Sequence, residues 1–229
     1  YNECVPYSFI GQPAAALFGG GTEAVRIENP ISSEMTHMRP DLLPGLLAAA
    51  ARNQARGFLD LALFECGPVF SGGEPGEQDL HLTAILVGNT APRDPYGSRR
   101  KVDIYDAKAD AEAVLQTIGA PAKAQINRKL DGWWHPGRAG NIALGPNALA
   151  SFGEIHPKVL KHFGIKGVAV GFTVRIAAVP QPKVRTPSRP ALVLSGLQAV
   201  ERDFAFVVDA GVEALTLVNA AAGADKALI

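Results

Sequence analysis

Two short constellations in this 229-residue sequence combine residue types that could do chemistry. Trp133-Trp134-His135-Pro136-Gly137-Arg138 sets two large aromatics, an imidazole and a guanidinium beside turn residues. An exposed loop of that kind suits a ligand or partner surface, and a tryptophan pair anchoring a loop is the competing structural reading. Phe152-Gly153-Glu154-Ile155-His156-Pro157 reads as a strand entering a helix, with Glu154 either an acid–base group or a capping carboxylate. His156 and His162 could share a helix end, but their spacing does not put two metal ligands on one face. Gly19-Gly20-Gly21 lacks the strand–helix setting of a phosphate loop and reads as a tight loop. Neither a Gly-x-x-x-x-Gly-Lys loop nor a Gly-x-Ser-x-Gly elbow is present. Cys4 and Cys66 are too few for a disulfide framework and lack zinc-site spacing, so both read as small buried hydrophobes.

Composition narrows the classes. With 22 basic and 22 acidic residues the formal net charge is zero, which removes the global attraction typical of nucleic-acid or membrane-surface binders while allowing a local basic patch. A 47% hydrophobic content is too apolar for a disordered chain. No apolar run is long enough to span a bilayer and no secretory signal opens the chain, so the expectation is a soluble intracellular protein. The chain begins at Tyr1 and stops at Ile229 inside what reads as an unfinished element, so it is treated as a piece of something larger.

The elements that must position these residues follow from periodicity. Leu43, Leu46, Leu47, Ala50 and Ala51 form one helical stripe, with Pro44 in the first turn and Gly57 as left-handed stop. Residues 59–64 and 82–88 read as strands separated by a Gly/Pro loop. A second helix is expected from an Asp106 N-cap to Gly119. Residues 141–144 and 149–152 read as a hairpin, a short helix starts at Pro157 and ends at Gly164, and 167–176 reads as a strand. Prolines and cations in 179–195 read as an extended connector. Beyond it, 203–208 reads as a strand and 213–222 as a helix. The expected fold class is therefore α+β: a mostly antiparallel sheet in 1–178, a linker over 179–195, and the start of another domain in 196–229.

The order of the motifs carries a resemblance. Asn29-Pro30-Ile31-Ser32-Ser33-Glu34, the run from Met38-Arg39-Pro40-Asp41 to Leu47, Leu63 to Phe70, Val102 to Lys108, His135 to Arg138 and Gly153 to Pro157 resemble successive blocks of the bacterial phenylalanyl-tRNA synthetase beta subunit. Val200-Glu201-Arg202-Asp203-Phe204-Ala205-Phe206 is similar to the opening strand of that subunit's C-terminal ferredoxin-like anticodon-binding domain. The resemblance thus implies the C-terminal part of the subunit: a class II aminoacyl-tRNA synthetase-like antiparallel sheet flanked by helices, in a degenerate, non-catalytic copy of the catalytic domain, then an incomplete ferredoxin-like segment. It implies a cytoplasmic heterotetramer in which the alpha subunit joins phenylalanine to its tRNA, with ATP and magnesium serving the holoenzyme and no cofactor or metal held by this chain.

A class II site needs arginines for the ATP phosphates. Here Glu65 stands where the motif 2 cation is expected, residues 57–92 contain no Lys or Arg, and the motif 3 arginine is missing, so Glu65 should repel ATP. The expected partner surface comprises Arg39, Trp133, Trp134, His135, Arg138, Glu154 and His156, facing the alpha subunit. Two other readings stay open: an enzyme with its own pocket at Glu154, His135 and Arg138, and a stand-alone binding module derived from a synthetase.

Overall fold

The computed structural model describes residues 1–181, 191, 192, 194 and 196–225. The chain separates into two compact units, residues 1–184 and 185–229.

In the first unit a seven-stranded sheet has the order β1-β4-β5-β9-β8-β7-β6, made from β1 (Asn2–Glu3), β4 (Leu61–Phe70), β5 (Gln78–Val87), β6 (Gln125–Asn127), β7 (Trp134–Leu144), β8 (Asn147–Ile155) and β9 (Ala169–Arg175). A separate two-stranded ribbon pairs β2 (Phe9–Ile10) with β3 (His37–Met38). The large sheet is mixed rather than wholly antiparallel, because β1 lies parallel to β4 while every other pair is antiparallel. Helices cover both faces. On one side α1 (Gln12–Leu17), α2 (Leu43–Ala55) and α4 (Pro157–Phe163) supply Leu43, Leu46, Leu47, Val159 and Leu160 to a core with Leu63, Ile85 and Ile155. On the other, α3 (Ile104–Thr117) buries Ala107, Ala111 and Leu115 against Ala84, Phe152, Val170 and Phe172.

The local reasons are those of the sequence, with shifts at the ends. Helix α2 has Pro44 in its first turn and Gly57 at φ 92° just past its end, as expected. Helix α3 starts three residues earlier than Asp106 suggested: Asp103 is the N-cap, and Asp106 reaches back to its backbone N–H to complete a capping box. Helix α4 stops on Gly164 in the left-handed conformation. The 141–152 hairpin is real and longer than expected at both ends. Strand β4 also runs longer, through Gly67 and Pro68 to Phe70. Pro68 is tolerated because β1 pairs β4 only at Leu63 and Phe64, so the remainder of β4 is an edge on that side.

Two expectations fail. Cys66 is exposed and Cys4 half-buried, so neither is the buried hydrophobe expected; both lie on or beside the edge strand β4. In the second unit α5 (Ala214–Ala222) forms as anticipated, but the expected strand over 203–208 is irregular. A lone strand has no neighbour to take its backbone hydrogen bonds, and no strand is present among the described residues 196–225. Much of the expected 179–195 connector lies outside the described residues.

Candidate functional site

Strand register places a line of polar side chains straight across one face of the sheet. Glu65 pairs in register with Thr83, Thr83 with Thr173, Thr173 with Ser151, Ser151 with Asn141 and Asn141 with Asn127. The first five are buried, on the face covered by α2 and α4. The Thr83 and Thr173 hydroxyls lie 3.0 Å apart, and Arg175 Nη1 donates to Ser151 Oγ at 3.0 Å. One row further along, Gly67, His81 and Arg175 are in register. Sequence reading missed Thr83, Ser151 and Thr173, although a signal existed at Thr83, which stands two residues from the inward Ile85 of its strand.

Arg39 governs the β4 end of this line. Delivered just after β3, its guanidinium donates from Nη1 to Glu65 Oε1 at 2.5 Å and from Nε to the Pro68 carbonyl at 2.9 Å. Both side chains are almost wholly buried. Burial pushes the Glu65 carboxyl above its ordinary range, and the attraction of Arg39 pulls it back only in part. This corrects the expected repulsion of ATP by Glu65, since the pair is neutral as a unit. The arginines of this face are engaged within the chain. Arg39 is occupied by Glu65, and Arg175 is held by Ser151 and lies 3.7 Å from Asp131. Neither side chain of this face is a free cation for a triphosphate, and no group of His, Cys, Asp and Glu able to hold a metal ion exists among the described residues. The residues present do not fit ATP and magnesium.

Beside the Arg175 end opens a cleft of about 490 Å³, bordered by Phe18, Gly19, Gly20, His81, Trp133 and Arg175. The triple-glycine loop forms as expected, with Gly19 and Gly21 at positive φ. A Cβ on Gly20 would lie 2.7 Å from the Pro40 ring. Burial pushes His81 down to about 4, with the Arg175 charge acting in the same direction. Asp41 is buried, and its carboxylate accepts from the Leu43 N–H at 2.8 Å. Desolvation raises its carboxyl to about 6, against the lowering effects of the Leu43 N–H and Arg175. The sign follows directly. The folded state holds the Asp41 proton more tightly than the unfolded chain, so this group favours folding below about pH 4, and that contribution is lost as pH rises through 6. Above it the buried charge costs on the order of 3 kcal/mol at 1.36 kcal/mol per pKa unit. Asp41→Asn should therefore raise the thermal midpoint by several degrees at pH 8, at ~1–3 kcal/mol, and converge on the parent at pH 4. Melts across that range check it; equal gains at both ends would contradict the assignment.

The residues anticipated as a partner surface do not form one exposed set. Trp134 is 2% exposed and opens β7 inside the core, and Arg39 is buried with Glu65. Trp133 is half-buried, 5.4 Å from the Phe18 ring, so neither tryptophan is left standing free. Arg138, His135, Glu154 and His156 do gather on the β7–β8 ladder and its exit into α4. Arg138 makes a two-pronged ion pair with Glu154, its Nη2 donating to Oε1 at 3.0 Å while Nε contacts Oε2. Glu154 is thus neither a capping group nor an unattached acid. The N-cap of α4 is His156, whose Nδ1 accepts from Lys158 N–H at 3.1 Å. His135 Nδ1 accepts from Gly137 N–H at 3.1 Å. With Arg138 and Glu154 paired and each histidine accepting from a nearby backbone N–H, no nucleophile–base pair is formed by these four residues.

Comparison with known proteins identifies the family. Residues 1–176 match the family model described as the phenylalanyl tRNA synthetase beta chain CLM domain. The chain is 75% identical over 229 residues to the phenylalanine–tRNA ligase beta subunit of Cereibacter sphaeroides, covering all of this chain and 28% of that protein. Identity to the beta subunit of Ruegeria pomeroyi is 70% over 230 residues, again the full chain here and 29% of the relative. With the beta subunit of Rhodospirillum rubrum it is 50% over 229 residues, 99% of this chain and 29% of the relative. The chain therefore spans under a third of the length of these relatives. The expected position toward the C-terminal end rested on 200–206, which lies outside the residues matched to the family, and nothing in these matches supports it. Among solved structures, a pyrrolysyl tRNA synthetase from Desulfitobacterium hafniense superposes with a TM-score of 0.53 at 15% identity, covering 77% of this chain and 60% of that one, a likeness of fold.

Proposed function

The chain belongs to the phenylalanyl-tRNA synthetase beta chain family, and from that premise we propose that it is the non-catalytic, structural and partner-binding segment of such a subunit, supporting ATP-dependent attachment of phenylalanine to its tRNA by an alpha subunit. The CLM domain is a non-catalytic part of the beta chain, and residues 1–178 fill that role here. The observation that carries the reading is the Arg39–Glu65 pair: the arginine at the β4 end of the sheet face is neutralised within the chain and cannot bind a phosphate. ATP and magnesium accordingly belong to the alpha subunit, and this chain holds neither. Residues 196–229 are read as the beginning of a ferredoxin-like domain, a reading supported by the similarity of 200–206 to its opening strand. The partner-facing part of the anticipated set is the Arg138–Glu154 pair with His135 and His156, of which Arg138 is the most exposed. A cytoplasmic setting follows from the role in translation, and among the described residues no helix is long and apolar enough to cross a membrane.

The purified chain alone should give no phenylalanine-dependent ATP–pyrophosphate exchange and no calorimetric ATP signal, and it should co-purify with the alpha subunit when it is part of the full-length beta chain. Exchange by the chain alone, dependent on phenylalanine, would remove the non-catalytic reading.

A further inference from the structure

The arginines of the sheet face are engaged within the chain, but several of its acceptors are not. Among the described residues, the buried side-chain atoms without a hydrogen-bond partner are Glu65 Oε2, His81 Nδ1 and Asn141 Oδ1. All three residues belong to this one face, Glu65 and Asn141 on the polar line and His81 one row along. The orientation of the Asn141 amide is fixed, because its Nδ2 donates to the Lys129 carbonyl and leaves Oδ1 as the spare acceptor. His81 is pushed down to about 4, so its ring is neutral near pH 7 and presents one acceptor nitrogen. Buried acceptors without a donor are costly, and three on one face call for a physical account. His81 borders the cleft of about 490 Å³, and Asn141 borders a second of about 590 Å³. Both clefts are also bordered by Arg175 and Asp131, so they adjoin along the face.

The charge around the smaller cleft has the matching sign. Two carboxylates, Asp79 and Asp131, border it against one arginine, Arg175. Arg175 gives Nη1 to Ser151 Oγ, and its Nη2 stands 3.7 Å from Asp131, too far for a hydrogen bond. Buried Asp41 adds negative charge behind the same arginine once it ionises. One wall is aromatic: the half-buried Trp133 ring lies 5.4 Å from Phe18, and a Cβ on Gly19 would lie 3.7 Å from Trp133 Cζ3. We propose that this cleft is a binding site for a small organic cation, a primary amine with a flat apolar body, held between Trp133 and the carboxylates of Asp79 and Asp131. The ammonium supplies the donors that Asp131 and His81 lack, and an aromatic wall beside a cation adds attraction of its own. A cleft of this volume accommodates a small ligand with one apolar wall and a few polar groups. An anion would meet two carboxylates and an arginine that is already engaged. The inference goes beyond the non-catalytic reading, which gives this chain no small molecule, and does not depend on it.

The test uses the full-length beta subunit assembled with an alpha subunit, with 4-fluorobenzylamine as probe and fluorine NMR as readout. The matched alcohol and carboxylate, 4-fluorobenzyl alcohol and 4-fluorobenzoate, isolate the effect of charge. Because other sites in the assembly can take the probe, binding here is read as the difference between parent and variant, and a soaked crystal locates it. The amine should bind at least tenfold more tightly at this site than either comparator. Asp131→Asn should weaken amine binding about five- to tenfold, and Trp133→Leu should weaken it about fivefold. Asp79→Asn, at an exposed position on β5, is the second charge variant should Asp131→Asn lower the thermal midpoint. Density for the amine between Trp133 and Asp131 completes the expected result. Parent-like binding in both charge variants overturns the proposal, as does equal binding of the alcohol, which would make the cleft merely apolar. Preference for the carboxylate, or binding at crystal concentration only, overturns it as well.

Discussion

Glu65→Ala is expected to destabilise the chain by ~3–5 kcal/mol, the range for removing one partner of a buried ion pair. The loss comes mainly from the arginine left behind. Arg39 and Glu65 retain side-chain exposures of only 3% and 6%, so truncating the carboxylate strands a guanidinium in the interior with one remaining acceptor, the Pro68 carbonyl. Water has little room to enter as a substitute, because Gly67 lies against the pair: a Cβ there would sit 2.7 Å from Arg39 Nη2. Against a typical net stability of ~5–15 kcal/mol, such a loss is visible as a large drop in urea midpoint. A drop below ~1 kcal/mol would mean that the pair is more hydrated than its burial indicates.

The same pair need not be stabilising in the absolute sense. Glu65 is held above its ordinary range because desolvation outweighs the attraction of Arg39. Replacing both partners by apolar residues of similar size, as in Arg39→Met with Glu65→Leu, is therefore expected to recover most of the loss seen in Glu65→Ala. That outcome would separate what the pair does for stability from what it does to the sheet face, where it occupies one of the two arginines that border the polar line.

The helices of this fold were legible in the sequence because each carries its own punctuation. Pro44 and Gly57 bracket α2, Pro157 and Gly164 bracket α4, and their apolar spacing points inward as the packing requires. Strand β4 was cut short because Glu65, Gly67 and Pro68 are poor strand formers by local rules, whereas the edge position and the Arg39 contact make them acceptable. The candidate site was legible only by resemblance. Its line from Glu65 to Asn127 draws one residue from each of six strands, and Arg39 meets Glu65 across 26 residues of chain. No local pattern contains such a juxtaposition; it exists only once the sheet is in register. The tryptophan pair failed for a related reason. Trp134 enters the core while Trp133 is covered by Phe18, which comes from a segment more than a hundred residues away.

Gly153→Ala is expected to be the most damaging of the single-methyl additions in this chain, at ~3 kcal/mol or more, the upper end for overpacking. Gly153 faces Ala139 of β7 on one side and Gly171 of β9 on the other, so its strand is held by ladders on both flanks. An added Cβ would fall 2.2 Å from Ala139 Cβ, 2.6 Å from its Cα and 2.8 Å from the Arg138 carbonyl oxygen. Backbone atoms form part of that obstacle, and a rotamer change cannot clear them. The residue also has φ 155°, near the edge of the region that side chains avoid. Relief requires β7 and β8 to part beside the irregular register between Trp134 and Ala139, which would pull Arg138 away from Glu154. The glycine beside Glu154 is thus a steric requirement of the ladder, set by how closely Ala139 approaches. Gly132→Ala is the matched control, because a Cβ there meets nothing within 4 Å and its φ is ordinary; it should stay within ~0.5 kcal/mol of the parent. Urea midpoints for the two variants decide the matter. If Gly153→Ala unfolds with Gly132→Ala, the strands have slack that the close approach of Ala139 denies.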